Sequence, residues 1–278
     1  MAGSIRDSVT LANGVRMPRL GLGTWQSAEG SEVEQSVRWA LEIGYRHVDT
    51  AAIYGNERGV GRAIRDSGVP REEVFVTTKV WNDDQRKGHD AVLRAFDESL
   101  RRLGTDYVDL YLVHWPVKGK YKEAWRALEK IYGGGRAKAI GVSNFLVHHL
   151  ADVIRDAQVV PMVNQIEFHP RLLQRELMAA CRRHNIVQEA WSPLMKGKIA
   201  HIPQLQELAE KHRKSVAQVV LRWNLQHGIV TIPKSVRRER LEENANLFDF
   251  ELTADDMAKI DALDRGERVG ADPDNFPF

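Results

Sequence analysis

The sequence predicts an α/β fold, a single (β/α)8 TIM barrel in which eight parallel strands alternate with helices. Short runs rich in Val, Ile and Leu recur at spacings that leave room for a helix between them, as expected of strands buried on both faces. The 278 residues are also close to the length of one such barrel, for which about 250 is typical. No Pro/Gly/Ser-rich linker interrupts the pattern, so residues 1–278 are predicted to form one domain.

Eight apolar runs are predicted to be the barrel strands. They cover residues 20–25, 47–52, 74–80, 108–113, 139–142, 162–168, 187–191 and 229–233. An N-terminal β-hairpin precedes them, with strands at 9–11 and 15–18 joined by a turn at Asn13-Gly14. No G-x-G-x-x-G phosphate loop follows the first run, which argues against a doubly wound sheet, and Gly59-Val60-Gly61 lies on a helical pattern.

Amphipathic helices are predicted between the strands. Ser31 and Glu34 have the spacing of a capping box at the start of the first helix. Thr253 and Asp256 are expected to open the last helix, which is followed by a short irregular tail at 265–278. Apolar stripes followed by a glycine stop predict that earlier helices end at Gly44, Gly104, Gly133 and Gly228.

Composition and charge exclude several classes of function. Forty Lys and Arg against 38 Asp and Glu give a net charge of +2, which predicts neither a nucleic-acid nor a membrane partner. No run approaches the roughly 18 apolar residues of a membrane span, and the N-terminal residues show no apolar leader. Cys181 is the single cysteine and suits a reducing compartment. We therefore expect a cytoplasmic protein. A monomer is the expected oligomeric state, which no pattern in the sequence establishes.

Polar residues lie at the ends of three neighbouring strands, at Asp49, Lys79 and His114, and Tyr54 follows in a loop. The carboxyl ends of parallel strands meet at one rim, about 4.8 Å apart, so these side chains are expected to converge. An ammonium beside a phenol favours the phenolate, so Lys79 is expected to move the pKa of Tyr54 from about 10 toward neutrality. Asp49 would keep Lys79 charged, and His114 could hydrogen-bond a substrate oxygen. The arrangement predicts a general acid–base site.

Each of these residues also has a simpler, structural interpretation. Asp49 and Lys79 could be an ion pair inside the barrel, Tyr54 a packed aromatic residue, and His114 a satisfied core histidine. A buried ion pair is costly without further hydrogen bonds, and four such groups at adjacent strand ends are hard to explain by packing. The joint pattern favours an active site.

Five segments resemble the aldo-keto reductases, in order and over essentially the whole chain: G-Y-R-H-V-D-T-A-A-I-Y-G-N-E (44–57), T-T-K-V-W (77–81), D-L-Y-L-V-H-W-P (109–116), I-G-V-S-N-F (140–145) and I-P-K-S (232–235). The resemblance implies that Tyr54 is the proton donor, that Lys79 and Asp49 tune it, and that His114 orients a carbonyl. It also implies NADPH, bound without a Rossmann motif.

The same resemblance implies contacts to each part of that cofactor. Ser143, Asn144 and Gln165 would hold the nicotinamide carboxamide, and Trp191 would stack on the ring where the family often has tyrosine. The other implied cofactor contacts are Thr24 at the mouth, Ser192, Leu194 and Lys196 over the pyrophosphate, Lys234, Ser235 and Arg240 at the 2′-phosphate, and Glu243 and Asn244 at the adenine.

A cluster of cations gives a separate physical indication of a phosphate group. Lys234 is followed by Arg237, Arg238 and Arg240 where a helix running to Ala245 is predicted to begin. Cations in a first helical turn oppose the macrodipole, and a bound phosphate would reverse that penalty. The alternative is a solvated basic surface. We predict that NADPH is preferred over NADH.

The aromatic residues after the strand ends and the C-terminal tail give indications about the substrate pocket and the substrate class. Trp25, Trp81 and Trp115 lie just beyond strand ends and are expected to wall the pocket, while residues 275–278 are expected to fold over the mouth. The segments R-V-G-A-D-P-D-N-F and Q-E-A-W-S-P-L-M resemble bacterial reductases of glyoxal, methylglyoxal and 2,5-diketogluconate. Small aldehydes, α-ketoaldehydes and diketo compounds are therefore the expected substrates.

Metal is not predicted, and two rival functions remain open. His148 and His149 lack a partner at ligand spacing, and adjacent histidines on a helix are expected to point to different faces. One rival is a regulatory barrel that binds NADPH as a sensor with little turnover. The other is an unrelated barrel enzyme, such as an isomerase that uses Lys79 as a Schiff base, which requires a lysine free of Asp49.

Overall fold

A closed, eight-stranded parallel barrel forms the centre of the computed structural model, which describes residues 3–276. The strands are β1 (Ser8–Thr10) and β2 (Arg16–Pro18) in the hairpin, then β3 (Leu22–Gly23), β4 (His47–Asp49), β5 (Phe75–Val80), β6 (Val108–Val113), β7 (Ala137–Ser143), β8 (Val163–Glu167), β9 (Val187–Trp191) and β10 (Val230–Thr231). The helices are α1 (Ser31–Ile43), α2 (Glu57–Asp66), α3 (Asn82–Arg86), α4 (His89–Leu103), α5 (Tyr121–Gly133), α6 (Val147–Asp156), α7 (Arg175–Arg183), α8 (Pro203–His212), α9 (Val216–Gln226), α10 (Arg238–Ala245) and α11 (Ala254–Asp261).

Strand pairing follows chain order from β3 to β10, and the first and last strands then meet. At that seam the N–H of Gly21 donates to the carbonyl of Thr231 at 2.9 Å, and the N–H of Thr231 donates to the carbonyl of Arg19 at 3.0 Å. The predicted (β/α)8 barrel with an N-terminal hairpin is confirmed. Since all strands run the same way, their carboxyl ends share one rim.

Side chains on either face of the strands enter two different apolar clusters. On β6, Tyr111 and Val113 belong to an outer cluster shared with the helices, whereas Leu110 and Leu112 belong to an inner one. Met17 of the hairpin, which is 0% exposed, completes the inner cluster. The hairpin therefore closes the amino-terminal end of the barrel and leaves the opposite end for polar groups.

Glycine stops and one predicted cap are found where the sequence placed them. Gly44 and Gly104 follow α1 and α4 with φ of 120° and 65°, in the left-handed region that favours glycine. At the start of α11, the hydroxyl of Thr253 accepts the N–H of Asp256, and the carboxylate of Asp256 accepts the N–H of Thr253.

The capping box predicted at the start of α1 is wrong. Gly30 is the N-cap residue, and Ser31 is already helical. Glu34 instead accepts a hydrogen bond from Nε of Arg62 on α2 at 2.8 Å. The local pattern could not show this because the barrel, rather than the sequence neighbourhood, brings α1 and α2 together.

The first, second and last barrel strands are shorter than predicted. The second was expected at 47–52, but β4 covers only His47–Asp49. Residues 20–25 were expected to be extended, but β3 covers only Leu22–Gly23, and Gln26 turns away with φ of 61°. Residues 229–233 were expected to form the last strand, but β10 covers Val230–Thr231, and Pro233 has no N–H to extend the ladder. Residues just after these strands are thereby released to the rim.

Two positions on the helices show how closely the elements around the barrel pack. At Gly61 on α2, a Cβ atom would lie 2.0 Å from the carbonyl oxygen of Leu103, so this glycine permits the close approach of α2 and α4. Cys181 is buried on α7, and burial raises the pKa of its thiol to about 12.

Between residues 3 and 276, no helix is long and apolar enough to span a bilayer. The tail contains neither helix nor strand from 265 to 276, and residues 277–278 lie outside the described part.

Candidate active site

Lys79, near the end of β5, is the centre of a buried polar cluster at the carboxyl rim. Its Nζ donates to both oxygens of Asp49, at 2.7 and 2.8 Å, and to the carbonyl of Thr50 at 2.9 Å. The same Nζ lies 3.4 Å from Oη of Tyr54. The side chain is 0% exposed, so these partners replace water entirely. The structure therefore brings Asp49, Tyr54 and Lys79 together as the sequence predicted.

The loop that carries Tyr54 is held by Asn56, a buried residue that sequence reasoning did not single out. Asn56 Oδ1 accepts the hydroxyl of Thr50 at 2.7 Å, and its Nδ2 donates to the carbonyl of Thr24 at 2.9 Å. Thr24 itself donates its hydroxyl to the carbonyl of Asp49 at 2.9 Å. These bonds fix the turn that aims the phenol at Lys79. Only the three-dimensional arrangement reveals this role, since an isolated Asn in a loop has many uses.

Electrostatics in the cluster keep Lys79 charged and Tyr54 protonated. Burial alone would lower the pKa of Lys79, but the adjacent Asp49 carboxylate outweighs it, and the pKa is raised. The expectation that Lys79 draws the pKa of Tyr54 toward neutrality is wrong. Burial of the phenol raises its pKa to about 12, because desolvation of a phenolate, aided by the negative charge of Asp49, exceeds the pull of Lys79. Tyr54 therefore carries its proton at neutral pH.

The imidazole of His114 lies beside the phenol, at the end of β6. Its ring makes edge contacts with Tyr54 at 5.7 Å and with Trp81 at 5.2 Å between ring centroids. Burial, together with the charge of Lys79, holds the pKa of His114 well below its ordinary value. The imidazole is thus neutral and can donate one N–H to an oxygen placed next to Tyr54.

Three amide and hydroxyl side chains lie next to this cluster, at the end of β7, directly after it and on β8. The hydroxyl of Ser143 donates to the carbonyl of Gln165 at 2.9 Å. Oδ1 of Asn144 accepts the indole N–H of Trp191 at 2.9 Å, and Nε2 of Gln165 donates to Oδ2 of Asp49 at 2.8 Å. The side chains that the resemblance assigned to the carboxamide and to the ring stack are therefore linked to one another and to Asp49.

Glu189 on β9 is a buried residue of this region that sequence reasoning missed. It is 0% exposed, and its Oε2 accepts the second Nε2–H of Gln165 at 2.7 Å. The alternation of side chains along a strand would have identified this residue. Glu189 is two residues before Trp191 and must therefore point to the same, inward face of the barrel.

The segment after β9 crosses the rim and meets the C-terminal tail. Nζ of Lys196 donates to the carbonyl of Val269 at 3.1 Å and lies 5.5 Å from the ring centroid of Trp25. Ser192 and Leu194, in the same segment, are half-buried. The segment is therefore bound at both sides of the mouth, over the space that the resemblance assigns to a pyrophosphate.

A buried carboxylate anchors the tail close to Trp191. Oε1 of Glu167 accepts the backbone N–H of Val269 at 2.6 Å and that of Gly270 at 3.2 Å. A Cβ atom on Gly270 would lie 2.3 Å from Cη2 of Trp191, so only glycine allows this approach. The tail thereby confines the indole from one side.

The basic corner after β10 contains two kinds of cation. Arg238 forms ion pairs with Glu42 at 3.2 Å and with Glu242 at 3.0 Å. Lys234 and Arg240 are exposed, and neither forms an ion pair with any acidic residue in the stretch 3–276. The remaining assigned residues here are Ser235, which is buried and accepts the N–H of Arg237 at 3.1 Å, half-buried Glu243, and buried Asn244. Lys234 and Arg240 are therefore available to an anion.

The three predicted pocket tryptophans lie in different surroundings. Trp81 is half-buried against His114, whereas Trp25 is 43% exposed and faces Lys196. Trp115 stacks on Phe276 of the tail, with ring centroids 4.4 Å apart. The tail thus reaches the mouth at 276, while the predicted continuation over 277–278 lies outside the described residues.

The expectation that the histidine pair on α6 has no partner is wrong. Nε2 of His148 and of His149 lie 3.0 and 3.5 Å from Oδ1 of Asp274 in the tail, and the three possible ligand atoms lie within 4.8 Å of one another. Sequence spacing could not show this because the tail folds back from far along the chain. The N–H of Leu146 donates to Nδ1 of His149, which leaves Nε2 carrying the proton toward Asp274. This is a hydrogen-bonded arrangement, and the absence of a metal from the function stays a prediction.

Comparisons with known proteins agree with this geometry. The aldo/keto reductase family model matches residues 19–265. Glyoxal reductase of Bacillus subtilis (strain 168) is 58% identical over 278 residues, and the match covers 100% of both chains. Methylglyoxal reductase DkgA of Escherichia coli (strain K12) is 47% identical over 272 residues, 96% of this chain and 97% of its own. A crystal structure of a Gox0644 variant in complex with NADPH has a TM-score of 0.93 and 45% identity, covering 98% of this chain and 99% of that one. The chain therefore belongs to the aldo/keto reductase family.

Proposed function

We propose that the protein reduces small aldehydes, α-ketoaldehydes or diketo compounds to alcohols with NADPH, and that Tyr54 is the proton donor. The observation that carries the proposal is Lys79, hydrogen-bonded to Asp49 on one side and facing Tyr54 on the other, beside a neutral His114. Relatives named for glyoxal and methylglyoxal reduction, matched over almost the whole chain, support the substrate class.

The side chains at the rim fit a phosphorylated dinucleotide. Ser143, Asn144 and Gln165 present donors and acceptors suited to a carboxamide. Lys234 and Arg240, exposed and without acidic partners in the described chain, suit a 2′-phosphate, for which charge-assisted hydrogen bonds are strong. When bound, the nicotinamide supplies a hydride to the carbonyl carbon.

Tyr54 and His114 act on the carbonyl oxygen. Tyr54 retains its proton at neutral pH and gives it to the oxygen as negative charge develops there. The N–H of His114 donates to the same oxygen, so both groups stabilise the transition state more than the ground state. Lys79 then stabilises the phenolate that remains, because its ammonium lies next to Oη.

The surroundings of these groups define a partly apolar pocket. Trp81 packs against His114, and Trp115 is covered by Phe276, so water has restricted access to the carbonyl from that side. The relatives named for glyoxal and methylglyoxal reduction favour compact carbonyl compounds for this pocket. We infer that small dicarbonyls fit this pocket better than bulky ketones.

The Schiff-base alternative disagrees with the structure. Lys79 is fully buried, and both Asp49 oxygens and the carbonyl of Thr50 accept hydrogen bonds from its Nζ. A lysine nucleophile needs a neutral, accessible amine, whereas Asp49 keeps this one charged. Lys79 thus serves Tyr54 rather than a substrate carbonyl.

The direct test is the rate at which purified protein consumes NADPH or NADH with methylglyoxal as substrate. We expect turnover with NADPH and much slower turnover with NADH. Tight NADPH binding without turnover of methylglyoxal, glyoxal or simple aldehydes would contradict the reductase proposal and favour the sensor function. Failure to bind either nucleotide would contradict the cofactor assignment.

A further inference from the structure

Glu189 is a buried carboxyl group to which the mechanism above gives no role. It lies in the middle of β9, fully buried, and one of its oxygens is 2.7 Å from Nε2 of Gln165. The same Nε2 is 2.8 Å from Oδ2 of Asp49. Gln165 therefore donates one amide hydrogen to each of two acidic side chains, on two different strands.

This pair of acceptors determines which way the Gln165 amide faces. Asp49, which accepts hydrogen bonds from Lys79, offers only acceptor oxygens, and an amide carbonyl turned toward it would be repelled. The NH2 end is thus held by Asp49 and Glu189, and the carbonyl oxygen Oε1 is the end left for another donor. The backbone of Gln165 is held as well, since its carbonyl accepts the N–H of Asn144 and the hydroxyl of Ser143, both at 2.9 Å.

Glu189 is in its neutral form when it holds the amide. Burial and the nearby Asp49 charge raise the pKa of Glu189 to about 8, against the weaker effects of Gln165 and Lys79. Its other oxygen lies 3.4 Å from Nε2 of His47, and burial lowers the pKa of that imidazole to about 3. A carboxylic acid can therefore face neutral His47 with its O–H and Gln165 with its carbonyl oxygen. A glutamine at this position would reproduce both contacts.

We propose that Glu189 is a positioning residue that, together with Asp49, orients the Gln165 amide so that its carbonyl oxygen accepts a hydrogen bond from the NH2 group of the cofactor's carboxamide. The inference rests on the proposed function, because it takes the nicotinamide end of the cofactor to lie at this rim. It adds a residue on β9, not suggested by the sequence, to those that set how the nicotinamide is held.

The test compares the binding of NADP+ with that of its 3-acetylpyridine analogue, in which a methyl group replaces the carboxamide NH2. Binding is measured by titration calorimetry in the wild type, Glu189→Gln and Glu189→Leu. The wild type should prefer NADP+ by about three- to tenfold, the effect of one hydrogen bond. Glu189→Gln should keep this preference, and Glu189→Leu should lose most of it, because an amide held by Asp49 alone can turn about that one hydrogen bond and move Oε1 away from the carboxamide.

Two controls separate loss of orientation from general damage. Adenosine 2′,5′-bisphosphate reaches only the adenosine end and should bind all variants equally. Thr77→Val removes a buried hydroxyl that lies 3.2 Å from Nε2 of His47 and forms no hydrogen bond with Gln165 in the described chain, so this variant should keep the preference. Glu189→Met is the second apolar variant if Glu189→Leu does not fold.

The outcomes distinguish the inference from the function on which it rests. If Glu189→Leu or Glu189→Met binds the bisphosphate normally and still prefers NADP+ as strongly as the wild type, the positioning role is wrong and the reductase proposal stands. A loss of preference in Thr77→Val as large as in Glu189→Leu would also overturn it. If the wild type binds neither nucleotide, the proposed function itself fails.

Discussion

The two ends of the barrel are built by the same eight strands but are held together by different interactions. At the closed end, inward side chains such as Leu110 and Val163 pack with Met17 of the hairpin in an apolar cluster. At the open end, inward side chains two or more residues further along the strands are Lys79, Gln165 and Asp49, which are equally buried but are ionised or hydrogen-bonded.

The two ends of the barrel differ in the substitutions that they tolerate. An apolar cluster requires the right volume, so substitutions that conserve volume are cheap wherever they fall. A buried polar cluster requires each partner to be present, since a donor or charge left unpaired carries its full desolvation cost. We therefore expect the closed end to contribute stability alone and the open end to couple stability to activity.

The largest effect is expected for Lys79→Met at the open end. It leaves Asp49 buried without its cation and Tyr54 without the group that stabilises its phenolate, so stability should fall by about 3–5 kcal/mol. The kcat should fall by about a thousandfold, within the range of general acid–base catalysis. Urea unfolding and steady-state kinetics measure the two effects.

The matched control for that change is Leu112→Met, in the inner apolar cluster directly beside Lys79. Both substitutions place methionine on an inward position of neighbouring strands, and Leu112 is the direct partner of Lys79 in the β5–β6 register. Leu112→Met should cost less than about 1.5 kcal/mol and leave kcat unchanged. Retention of kcat within about tenfold in Lys79→Met would mean that the polar cluster is structural only.

Met17→Ala tests the closed end of the barrel. The methionine is completely buried between the hairpin and the barrel, so truncation leaves a cavity and should cost about 2–5 kcal/mol. The kcat/KM measured well below the lowered Tm should equal that of the wild type. A fall in kcat/KM of more than about tenfold in the folded variant would contradict the separation of the two ends.

A pH dependence is expected from Glu189. Its pKa is raised to about 8 in the folded protein, above the ordinary value of about 4.3, so the folded state binds the proton more tightly than the unfolded chain. The stabilising contribution of that proton is complete below about pH 4.3 and is lost as the pH rises through about 8. The free energy of unfolding of the wild type, measured against Glu189→Gln, should therefore fall by a few kcal/mol, to order of magnitude, across this interval. A difference independent of pH would show that Glu189 is ionised throughout.

The smallest effects are expected at the basic corner. Lys234→Ala or Arg240→Ala should each weaken NADPH binding by about tenfold or more, through loss of a charge-assisted hydrogen bond, and leave NADH binding unchanged. Arg238→Ala is the control, because Arg238 is already paired with Glu42 and Glu242. An equal loss of NADPH binding in Arg238→Ala would indicate a diffuse electrostatic effect instead of a phosphate site.

Much of this architecture could be predicted because it follows from strand order. Parallel strands place their carboxyl ends on one rim, so the convergence of Asp49, Lys79 and His114 required only that the strands be identified. The bounds 108–113 and 187–191 were predicted without error, since both segments are mainly apolar and are followed at once by a polar residue, His114 and Ser192. Gly44 and Gly104 ended helices for a local reason, their left-handed φ.

The features that were predicted wrongly or missed depend on contacts between distant parts of the chain. The capping box predicted for α1 does not form, because Glu34 is hydrogen-bonded to Arg62. The histidine pair on α6 is in contact with Asp274 of the tail, which its sequence neighbourhood could not show. The pKa of Tyr54 was predicted in the wrong direction because nearness to Lys79 can be inferred from strand order, whereas the extent of burial cannot. Glu189 was also missed: its inward orientation could be inferred from the alternation of side chains along β9, but its hydrogen bond with Gln165 on β8 could not.

Tyr54→Phe tests the central claim most directly. The substitution removes only the phenolic oxygen, and the ring can keep its contact with His114. We predict that kcat/KM for methylglyoxal falls by about a hundredfold or more, as for loss of a general acid, while the Kd for NADPH changes by less than about threefold. A kcat/KM within about tenfold of the wild type, with the same Kd, would show that another group supplies the proton and would contradict the account.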